Sequence, residues 1–456
     1  MIGRARPVDA RSESPVATTM ADGLRERHRK QLLILTLSSQ VSIQLLLFFS
    51  SYLPLFDSSP WAVLDGSSTS WATSSFLRWD VFHLRLVGEE RMYEHQWAFL
   101  PGAPAFIKFL GQIAPNDDWG ACLQVGTLLV IACDSTLVLY ALSLRHLKSP
   151  SLSFLSAALS LLPSSPATLR HAMYAEPFFT WASYRGCSRS PPPLTRTQHH
   201  LGMLACAGSQ WALASFYFCL AGVFRSNGIL LSGFILWGML VEPFVKDRVV
   251  SRPYYIAYIY LCLLWLKLVI KRIPYALVLS FLIFSPVIYH QYSGYRVFCQ
   301  DADTPAPWCS NSPPLIYTYV QSKYWNVGFL RYWTLQQLPN FVLAAPVLAL
   351  LSYYSTQSVH SFATHLLNRP RRQKNSPFEF PSLAPHGIHA FVFTLILVFA
   401  SHTQIILRFA ASLPFTYWSA ARLLVENPWL GKWWVGWSVV WGAISLVLWS
   451  TFLPPA

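Results

Sequence analysis

Charged residues are scarce in this chain of 456 residues. Asp, Glu, Lys and Arg together make up 12% of the sequence, while 53% of the residues are hydrophobic. Soluble globular domains carry about a quarter charged residues, and half that fraction cannot coat a water-facing surface of this size. The composition therefore excludes an ordinary soluble domain and predicts a chain whose main solvent is lipid.

Metal and nucleotide motifs are also missing from the sequence. The eight cysteines form no CxxC pair and no Cys–His cluster, and no glycine-rich phosphate loop is present. Residues 301–303 spell an acidic DAD triplet, but its setting between two cysteines indicates a loop rather than a metal clamp. A solvated acidic turn is favoured over a divalent-ion site for Glu89, Glu90 and Glu94. We expect no cofactor and no metal site, and the dependence on a divalent ion stays open.

The net charge of +14 does not indicate nucleic-acid binding. Basic residues stand between apolar runs, at 25–30, 145–148, 246–252 and 369–374, without interleaved aromatic residues. This is the distribution that the positive-inside rule predicts for cytosolic loops. We therefore expect membrane lipids, and no nucleic acid, among the partners of this protein.

A helix needs about 20 apolar residues to cross the hydrocarbon core of a membrane. The candidate spans are 31–53, 121–143, 151–166, 174–186, 203–223, 227–245, at least one within 254–291, 338–355, 388–410 and 432–453. Residues 1–30 are polar and predict a disordered cytosolic N-terminus, because the basic run RERHRK directly precedes the first span.

Counting crossings from a cytosolic N-terminus places two loops, 54–120 and 292–337, in the lumen. The basic segment 356–387 then lies in the cytosol. This parity requires an odd number of crossings within 254–291, for which one full crossing plus an interfacial helix is favoured over two helices. Cys299 and Cys309 flank a polar segment of the second luminal loop, and they are candidates for a disulfide if that loop faces an oxidising compartment.

The first luminal loop concentrates acidic residues, histidines and aromatic residues within 71–104. If residues 79–87 are helical, Asp80 and His83 share one face. A carboxylate and an imidazole beside aromatic rings can hold a sugar-like ligand, because rings pack on CH groups while polar groups meet hydroxyls. The alternative is an amphipathic helix on the membrane surface with solvated charges.

Short motifs in a fixed order carry a family resemblance. They are Trp79-Asp80, YEHQWAFLPGAP at 93–104, YAE at 174–176, FRSNG at 224–228, YWNVGFLRYWTLQQLPNF at 324–341, SHTQIILRF at 401–409, SLPFTYW at 412–418 and FLP at 452–454. Each motif is weak alone, but the ordered set resembles the GPI mannosyltransferase II family over residues 31–456. The resemblance implies an all-α polytopic membrane protein of the GT-C class. Its bundle is expected to hold about 8–11 transmembrane helices with a helical first luminal loop.

One segment departs from the family pattern. RGCSRSPPPLTRTQHH at 185–200 separates two pieces that relatives join in one continuous stretch. We interpret residues 185–200 as a cytosolic insertion or as a retained intron in the gene. This departure puts the local span assignment in doubt but not the resemblance.

The resemblance implies a reaction as well as a fold. Relatives take mannose from dolichyl-phosphate-mannose and add the second mannose, in α-1,6 linkage, to a mannosyl-glucosaminyl-phosphatidylinositol acceptor in the endoplasmic reticulum. An α product from a β-linked donor means inversion, hence a single displacement. A carboxylate must then accept the proton of the attacking hydroxyl. Asp80 matches the family position and is predicted to be this base. Trp79 is expected to position Asp80 or to pack on a sugar, or else to anchor the loop at the interface.

Further polar residues are candidates for substrate binding. Cationic or hydrogen-bonding groups for the departing phosphate and the sugars are His83, Arg85, Arg225, Asn227 and Arg408. Glu176, Gln291, Asn326 and His402 are polar candidates with structural alternatives: a carboxylate at a helix start for Glu176 and an interhelical hydrogen bond for His402. For Arg225 the alternative is a snorkelling side chain at the membrane boundary.

Three alternatives to this transferase make different predictions. A lipid transporter or flippase predicts inverted repeats or paired broken helices, and neither is apparent in the sequence. A non-catalytic subunit of a membrane glycosylation complex would be indifferent to Asp80. A transferase of different linkage is the alternative within the enzyme class. The resemblance also implies a small accessory membrane subunit, which nothing in this sequence identifies.

Overall fold

The computed structural model describes residues 15–56, 76, 78–81, 84, 93–113, 119–187, 210–243, 255–367 and 376–453. Within these ranges the chain is helical and contains no β-strand. The α-helices are α1 Pro15–Ser50, α2 Gly102–Ile113, α3 Trp119–Ala132, α4 Thr136–Leu147, α5 Pro150–Leu159, α6 Pro166–Arg170, α7 Ala175–Gly186, α8 Trp211–Phe224, α9 Ser232–Leu236, α10 Tyr255–Tyr295, α11 Ile316–Trp325, α12 Leu338–Leu367, α13 Ala384–Ala400, α14 Ile406–Ala410, α15 Pro414–Glu426 and α16 Pro428–Ser450.

Short 3₁₀ and π segments extend or connect these helices. The 3₁₀ segments are Glu94–Ala98, Ser226–Leu231, Pro307–Ser310, Leu335–Gln337, Pro377–Glu379, Pro381–Leu383 and Thr403–Ile405, and the π segments are Trp237–Val241 and Arg296–Gln300. The prediction of helix in the first luminal loop is therefore met by Glu94–Ala98 and α2. Of the helix predicted at 79–87, residues 80, 81 and 84 are helical and the others lie outside the described residues.

Six helical segments are long and apolar enough to cross a membrane. They are Asp22–Ser50, Leu123–Leu147, Arg272–Gln300, Leu335–Thr364, Pro381–Ala400 and Pro428–Ser450. At most 44% of each apolar window is buried inside the protein, so much of the apolar surface faces outward, as a lipid environment requires. Shorter apolar helices lie at Pro150–Leu159, Trp211–Phe224 and Ser226–Val241. The predicted number of 8–11 transmembrane helices stays a prediction. The chain is a multi-pass, all-helical membrane protein.

The prediction of a disordered segment over residues 1–30 is wrong from Pro15 onward. α1 begins at Pro15 and continues without a break into the apolar run. Strong helix formers in the basic stretch favour this, and Arg25 pairs with Asp22 at 3.1 Å on the helix surface. Residues 1–14 lie outside the described part of the chain.

Two predicted spans contain breaks. Residues 133–135 interrupt the span 121–143, and the Asp134 carboxylate accepts the backbone N–H of Thr136 at 2.9 Å where α4 begins. The span 388–410 ends at Ala400, and α14 starts after a turn. Polar side chains at such points hydrogen-bond to the backbone and compete with the hydrogen bonds of a continuous helix. A hydropathy average over about 20 residues does not detect such a local break.

Helix α15 was absent from the predicted spans. It has only 13 residues, fewer than a full crossing needs, yet Tyr417 and Trp418 are almost completely buried in the largest apolar core. That core joins α15 to α4, α12, α13 and α16. Surrounding helices shelter this short segment from lipid.

The stretch 254–291 forms one helix rather than a span plus a separate interfacial helix. α10 runs from Tyr255 to Tyr295 with Pro274 and Pro286 inside it. A proline removes one backbone donor but does not end a helix that neighbours support. Such support comes from α8, where a methyl group added at Gly222 would lie only 3.2 Å from the carbonyl oxygen of Ile283.

The predicted luminal loops 54–120 and 292–337 meet at one end of the bundle. Glu94 accepts hydrogen bonds from Trp308 Nε1 at 3.1 Å, Lys323 Nζ at 3.2 Å and the Tyr324 hydroxyl at 3.0 Å. A disulfide joins Cys299 and Cys309 in the same region. We call this the site end of the bundle.

The described flanks of the basic segment, 356–367 and 376–387, lie at the opposite end. There Arg422 pairs with Glu379 at 3.2 Å, and Lys148 lies 5.1 Å from the ring centroid of Phe380. Residues 188–200 of the predicted insertion lie outside the described residues.

The orientation of the C-terminus can be tested with N-glycosylation acceptor sequences. We expect modification of an acceptor inserted within 303–306 and of one appended after Ala456, and none of an acceptor inserted between Arg371 and Arg372. The physical reason is that Phe452 packs on Trp79 at the site end, while α12 ends at Leu367 at the opposite end of the bundle. Gel shifts after endoglycosidase treatment provide the measurement. Modification at only one of the two site-end positions would contradict this arrangement.

Candidate active site

Residues 78–81 form a tight turn at the site end, which we call the Asp80 turn. The backbone N–H of Val81 donates to the carbonyl of Arg78 at 3.1 Å, and Val81 is completely buried. Trp79 has a left-handed backbone with φ of 50°. The Asp80 side chain is 30% exposed. The turn therefore presents a partly exposed carboxylate, while its neighbours Arg78 and Val81 are buried.

Glu176 lies in the first turn of α7. Its side chain is 1% exposed, and the guanidinium of Arg408 contacts Oε1 through Nε at 2.9 Å and Nη2 at 2.8 Å. Arg225, which caps the end of α8, forms an ion pair with the same oxygen. The carboxylate also lies at a helix N-terminus, where the helix dipole favours negative charge.

Arg408 connects the two carboxylates. It lies on the short helix α14, and its Nη1 contacts Oδ2 of Asp80 at 3.1 Å. Four residues from four separate segments thus form one charged cluster: Asp80, Glu176, Arg225 and Arg408. The formal charges of the charged cluster cancel. Removing a carboxylate from water costs several kcal/mol unless it is paired, so the two arginines make the burial of Glu176 possible.

Aromatic rings cover the arginines of the charged cluster. The guanidinium of Arg225 lies 4.0 Å from the ring centroid of Phe409, and that of Arg408 lies 5.0 Å from that of Tyr174. Both arginines stay partly accessible, at 14% and 19% of their side-chain surfaces. The cluster can therefore offer cationic donors to an anionic ligand while the rings restrict their orientation.

Arg78 and Tyr174 are functional candidates that sequence reasoning did not assign. Arg78 is buried, and its Nε donates to the carbonyl of Ser450 at 3.1 Å. Burial lowers the pKa of Arg78 to about 10, which leaves the side chain charged at neutral pH. The Tyr174 hydroxyl accepts the backbone N–H of Asp80 at 2.8 Å. YAE was visible as a motif, but this contact spans residues far apart in the sequence.

The structure does not bring all predicted binding residues into the charged cluster. Gln291 Oε1 accepts the backbone N–H of Tyr317 at 3.0 Å, and His402 Nε2 lies 2.6 Å from the carbonyl oxygen of Trp325. Asn326 ends α11 with a left-handed φ of 51°, a conformation that asparagine tolerates. Gln291 and His402 contact the backbone of loops at the site end, and Asn326 ends a helix there. The prediction that these residues bind substrate stays a prediction.

The structure describes two of the remaining predicted residues, Asn227 and Trp79. Asn227 lies two residues after Arg225, and among the described residues no donor reaches its buried Oδ1. Trp79 is half-buried and packs on Phe452, with ring centroids 6.0 Å apart. His83 and Arg85 lie outside the described residues.

A second buried ion pair lies deeper in the bundle. Arg170 Nη1 contacts Asp134 Oδ2 at 2.9 Å, and Nη2 donates to Thr136 at 2.9 Å. The Arg170 side chain is 4% exposed, and Asp134 in the break between α3 and α4 supplies the compensating charge. Within the part of the chain that the structure covers, no group of three metal-type ligands occurs.

A family model described as Mannosyltransferase (PIG-V) matches residues 30–456. The chain belongs to this mannosyltransferase family. All four residues of the charged cluster fall within the part that the PIG-V model matches.

Curated proteins of the PIG-V kind are similar over most of their length. The GPI mannosyltransferase 2 of Cryptococcus neoformans var. neoformans is 32% identical over 460 residues, which covers 92% of this chain and 96% of the relative. The GPI alpha-1,6-mannosyltransferase 2 of Rattus norvegicus is 30% identical over 392 residues, covering 77% and 73% respectively. Among solved structures, the apo oligosaccharyltransferase of Archaeoglobus fulgidus aligns over 92% of this chain and 56% of its own length, with a TM-score of 0.39 and 11% identity.

The charged cluster generates a prediction about the stability of this PIG-V family member. Replacing Glu176 with Ala leaves the guanidinium groups of Arg225 and Arg408, which are only 14% and 19% exposed, without their shared counter-charge. We expect the free energy of unfolding to fall by about 3–5 kcal/mol, as for other broken buried ion pairs. Thermal unfolding of the detergent-purified protein provides the measurement.

Glu379→Ala is the matched control for this variant. Glu379 also pairs with an arginine, but its side chain is 38% exposed, so its loss should cost at most about 1 kcal/mol. Equal shifts for the two variants would contradict the role given to Glu176.

Proposed function

We propose that this PIG-V family member adds the second mannose, in α-1,6 linkage, to the GPI-anchor precursor. The donor in this proposal is dolichyl-phosphate-mannose and the acceptor is mannosyl-glucosaminyl-phosphatidylinositol. The reaction takes place at the luminal face of the endoplasmic reticulum membrane. The names of the curated relatives support the product and the linkage, while the donor and the compartment rest on the family resemblance.

The observation that carries the mechanism is the partly exposed Asp80 carboxylate on a buried turn. Arg408 contacts Oδ2 of Asp80, which leaves Oδ1 as an acceptor for a sugar hydroxyl. A hydroxyl is a poor nucleophile until a base removes its proton during attack. The Asp80 turn is fixed on both sides, so the base does not have to be oriented again for each reaction.

The two arginines suit the departing group. When the bond between the anomeric carbon and the phosphate oxygen breaks, dolichyl phosphate gains negative charge. Arg408 and Arg225 are partly accessible donors already held in place by Glu176, and such preorganised donors stabilise developing charge without rearrangement. A buried Glu176 also keeps the two guanidinium groups close together, where they would otherwise repel each other.

The proposed step is a single displacement. The acceptor oxygen forms a bond to the anomeric carbon, its proton passes to Asp80, and the phosphate leaves from the opposite face of the sugar. The configuration therefore inverts from β in the donor to α in the product. We also expect a small accessory membrane subunit as a partner, as the family resemblance implies.

Complementation of cells blocked after the first GPI mannose tests this function. Wild-type protein should restore the doubly mannosylated precursor, whereas Asp80→Asn and Asp80→Ala should lower its formation by about 10²-fold or more, because general-base catalysis contributes about 10²–10⁴-fold. Mass spectrometry of labelled GPI precursors gives the product ratios.

Asp301→Asn is the matched control for the Asp80 variants. Asp301 is also a site-end aspartate paired with an arginine, Arg296 at 3.4 Å, but its side chain is 58% exposed and lies outside the charged cluster. It should retain wild-type activity. Full activity of Asp80→Ala would exclude Asp80 as the base and favour a non-catalytic role for this chain.

A further inference from the structure

Two bulky residues beside Asp80 have left-handed backbones and touch each other. Trp79 has φ of 50° and Phe452 has φ of 63°, and their ring centroids are 6.0 Å apart. Bulky residues are rarely found with positive φ, because the side chain crowds the backbone. Such conformations persist only where surrounding contacts impose them, and they cluster at functional sites. The contacts that impose them here come from two directions.

Tyr174 holds the Asp80 turn from one side. Its side chain is 2% exposed, and its hydroxyl accepts the backbone N–H of Asp80 at 2.8 Å. The edge of Trp449 meets the Tyr174 ring at a centroid distance of 5.5 Å, and Arg408 covers the ring at 5.0 Å. The hydroxyl therefore has a fixed position, and the Asp80 backbone is fixed with it.

The end of α16 holds the turn from the other side. Arg78 donates through Nε to the carbonyl of Ser450 at 3.1 Å, and its guanidinium lies 4.9 Å from the ring centroid of Phe452. The next residue, Thr451, accepts the backbone N–H of Phe56 at 2.9 Å. Residues 450–452 thus bind the segment after α1 and also contact Arg78 and Trp79.

We propose that Tyr174 and Phe452 are positioning residues, which act together through the Asp80 turn to fix the Asp80 carboxylate. This inference rests on the proposed function of Asp80 as the base. Tyr174 fixes the backbone at Asp80 itself, and Phe452 fixes the two residues before it. Phe452 comes from the far end of the sequence, so the C-terminal turn completes the active site.

The physical reason for two anchors is the tolerance of the reaction. A misplacement of about 1 Å can lower the rate about 10²-fold, even when it originates outside the reacting groups. Arg408 alone cannot define the direction of the Asp80 carboxylate, because it contacts only one carboxylate oxygen and also serves Glu176. With the backbone fixed on both sides, only the side-chain torsions of Asp80 remain free.

Kinetics of Tyr174→Phe, Phe452→Leu and the double variant test this inference. Tyr174→Phe deletes one oxygen and keeps the ring, while Phe452→Leu keeps an apolar side chain and deletes the ring. Each should lower kcat about 10-fold with KM within about twofold of wild type, because the alignment of the base affects the transition state and not the binding of substrate. In the double variant, kcat should fall by less than the product of the two single-variant factors, since both residues act on one turn.

Tyr140→Phe is the matched control. Tyr140 is also buried, and its hydroxyl lies 3.1 Å from His28 Nδ1, away from the charged cluster. Its kcat should match the wild type. Thermal unfolding of every variant is measured in the same detergent, so that a lowered kcat can be compared with the folded fraction.

The outcomes separate this inference from the proposed function. An inactive wild type, or a fully active Asp80→Asn, would overturn the proposed function and this inference with it. If wild type is active and Asp80→Asn is not, wild-type kcat in Tyr174→Phe and Phe452→Leu overturns this inference alone. A fall in kcat that only follows the loss of folded protein, or a change confined to KM, also overturns it.

Discussion

The buried carboxylate of Glu176 is the constraint on which the site end depends. Its side chain is 1% exposed and its Oε1 meets the guanidinium groups of both Arg225 and Arg408. Without them the burial of this charge would cost several kcal/mol. The ion pairs therefore require α7, α8 and α14 to meet at one point. Arg408 then extends the same network to Asp80, so that the Asp80 carboxylate is located by the same interaction that holds three helices together.

Several polar residues at this end contact the backbone of neighbouring segments. His402, Gln291 and Asn326 contact or cap loop segments that would otherwise leave polar groups unpaired near the lipid boundary. Irregular backbone is tolerated at membrane depth only where protein or water satisfies it. A polar residue beside an apolar run is thus ambiguous in the sequence, because a substrate-binding group and a loop-anchoring group have the same composition.

The proposed base stands on a turn, which suits the chemistry that we propose. A turn can present one carboxylate to a lipid-linked sugar while its neighbours remain packed in the protein. Left-handed backbones at Trp79 and Phe452 show that surrounding contacts override local preference there. The motifs WD, YAE and FLP lie in three distant parts of the chain, and these contacts bring them together at one place.

The sequence alone determined the membrane class, the GPI mannosyltransferase resemblance and four residues of the later cluster: Asp80, Glu176, Arg225 and Arg408. Composition and short motifs are local properties, and a single chain displays them directly. Only the tertiary structure decided the start of α1, the breaks at 133–135 and after Ala400, and the burial of α15. It also paired Arg408 with Asp80 across 328 positions and brought Tyr174 and Phe452 to the same turn. Such contacts depend on which helices pack together, and a window of adjacent residues contains no information about distant partners.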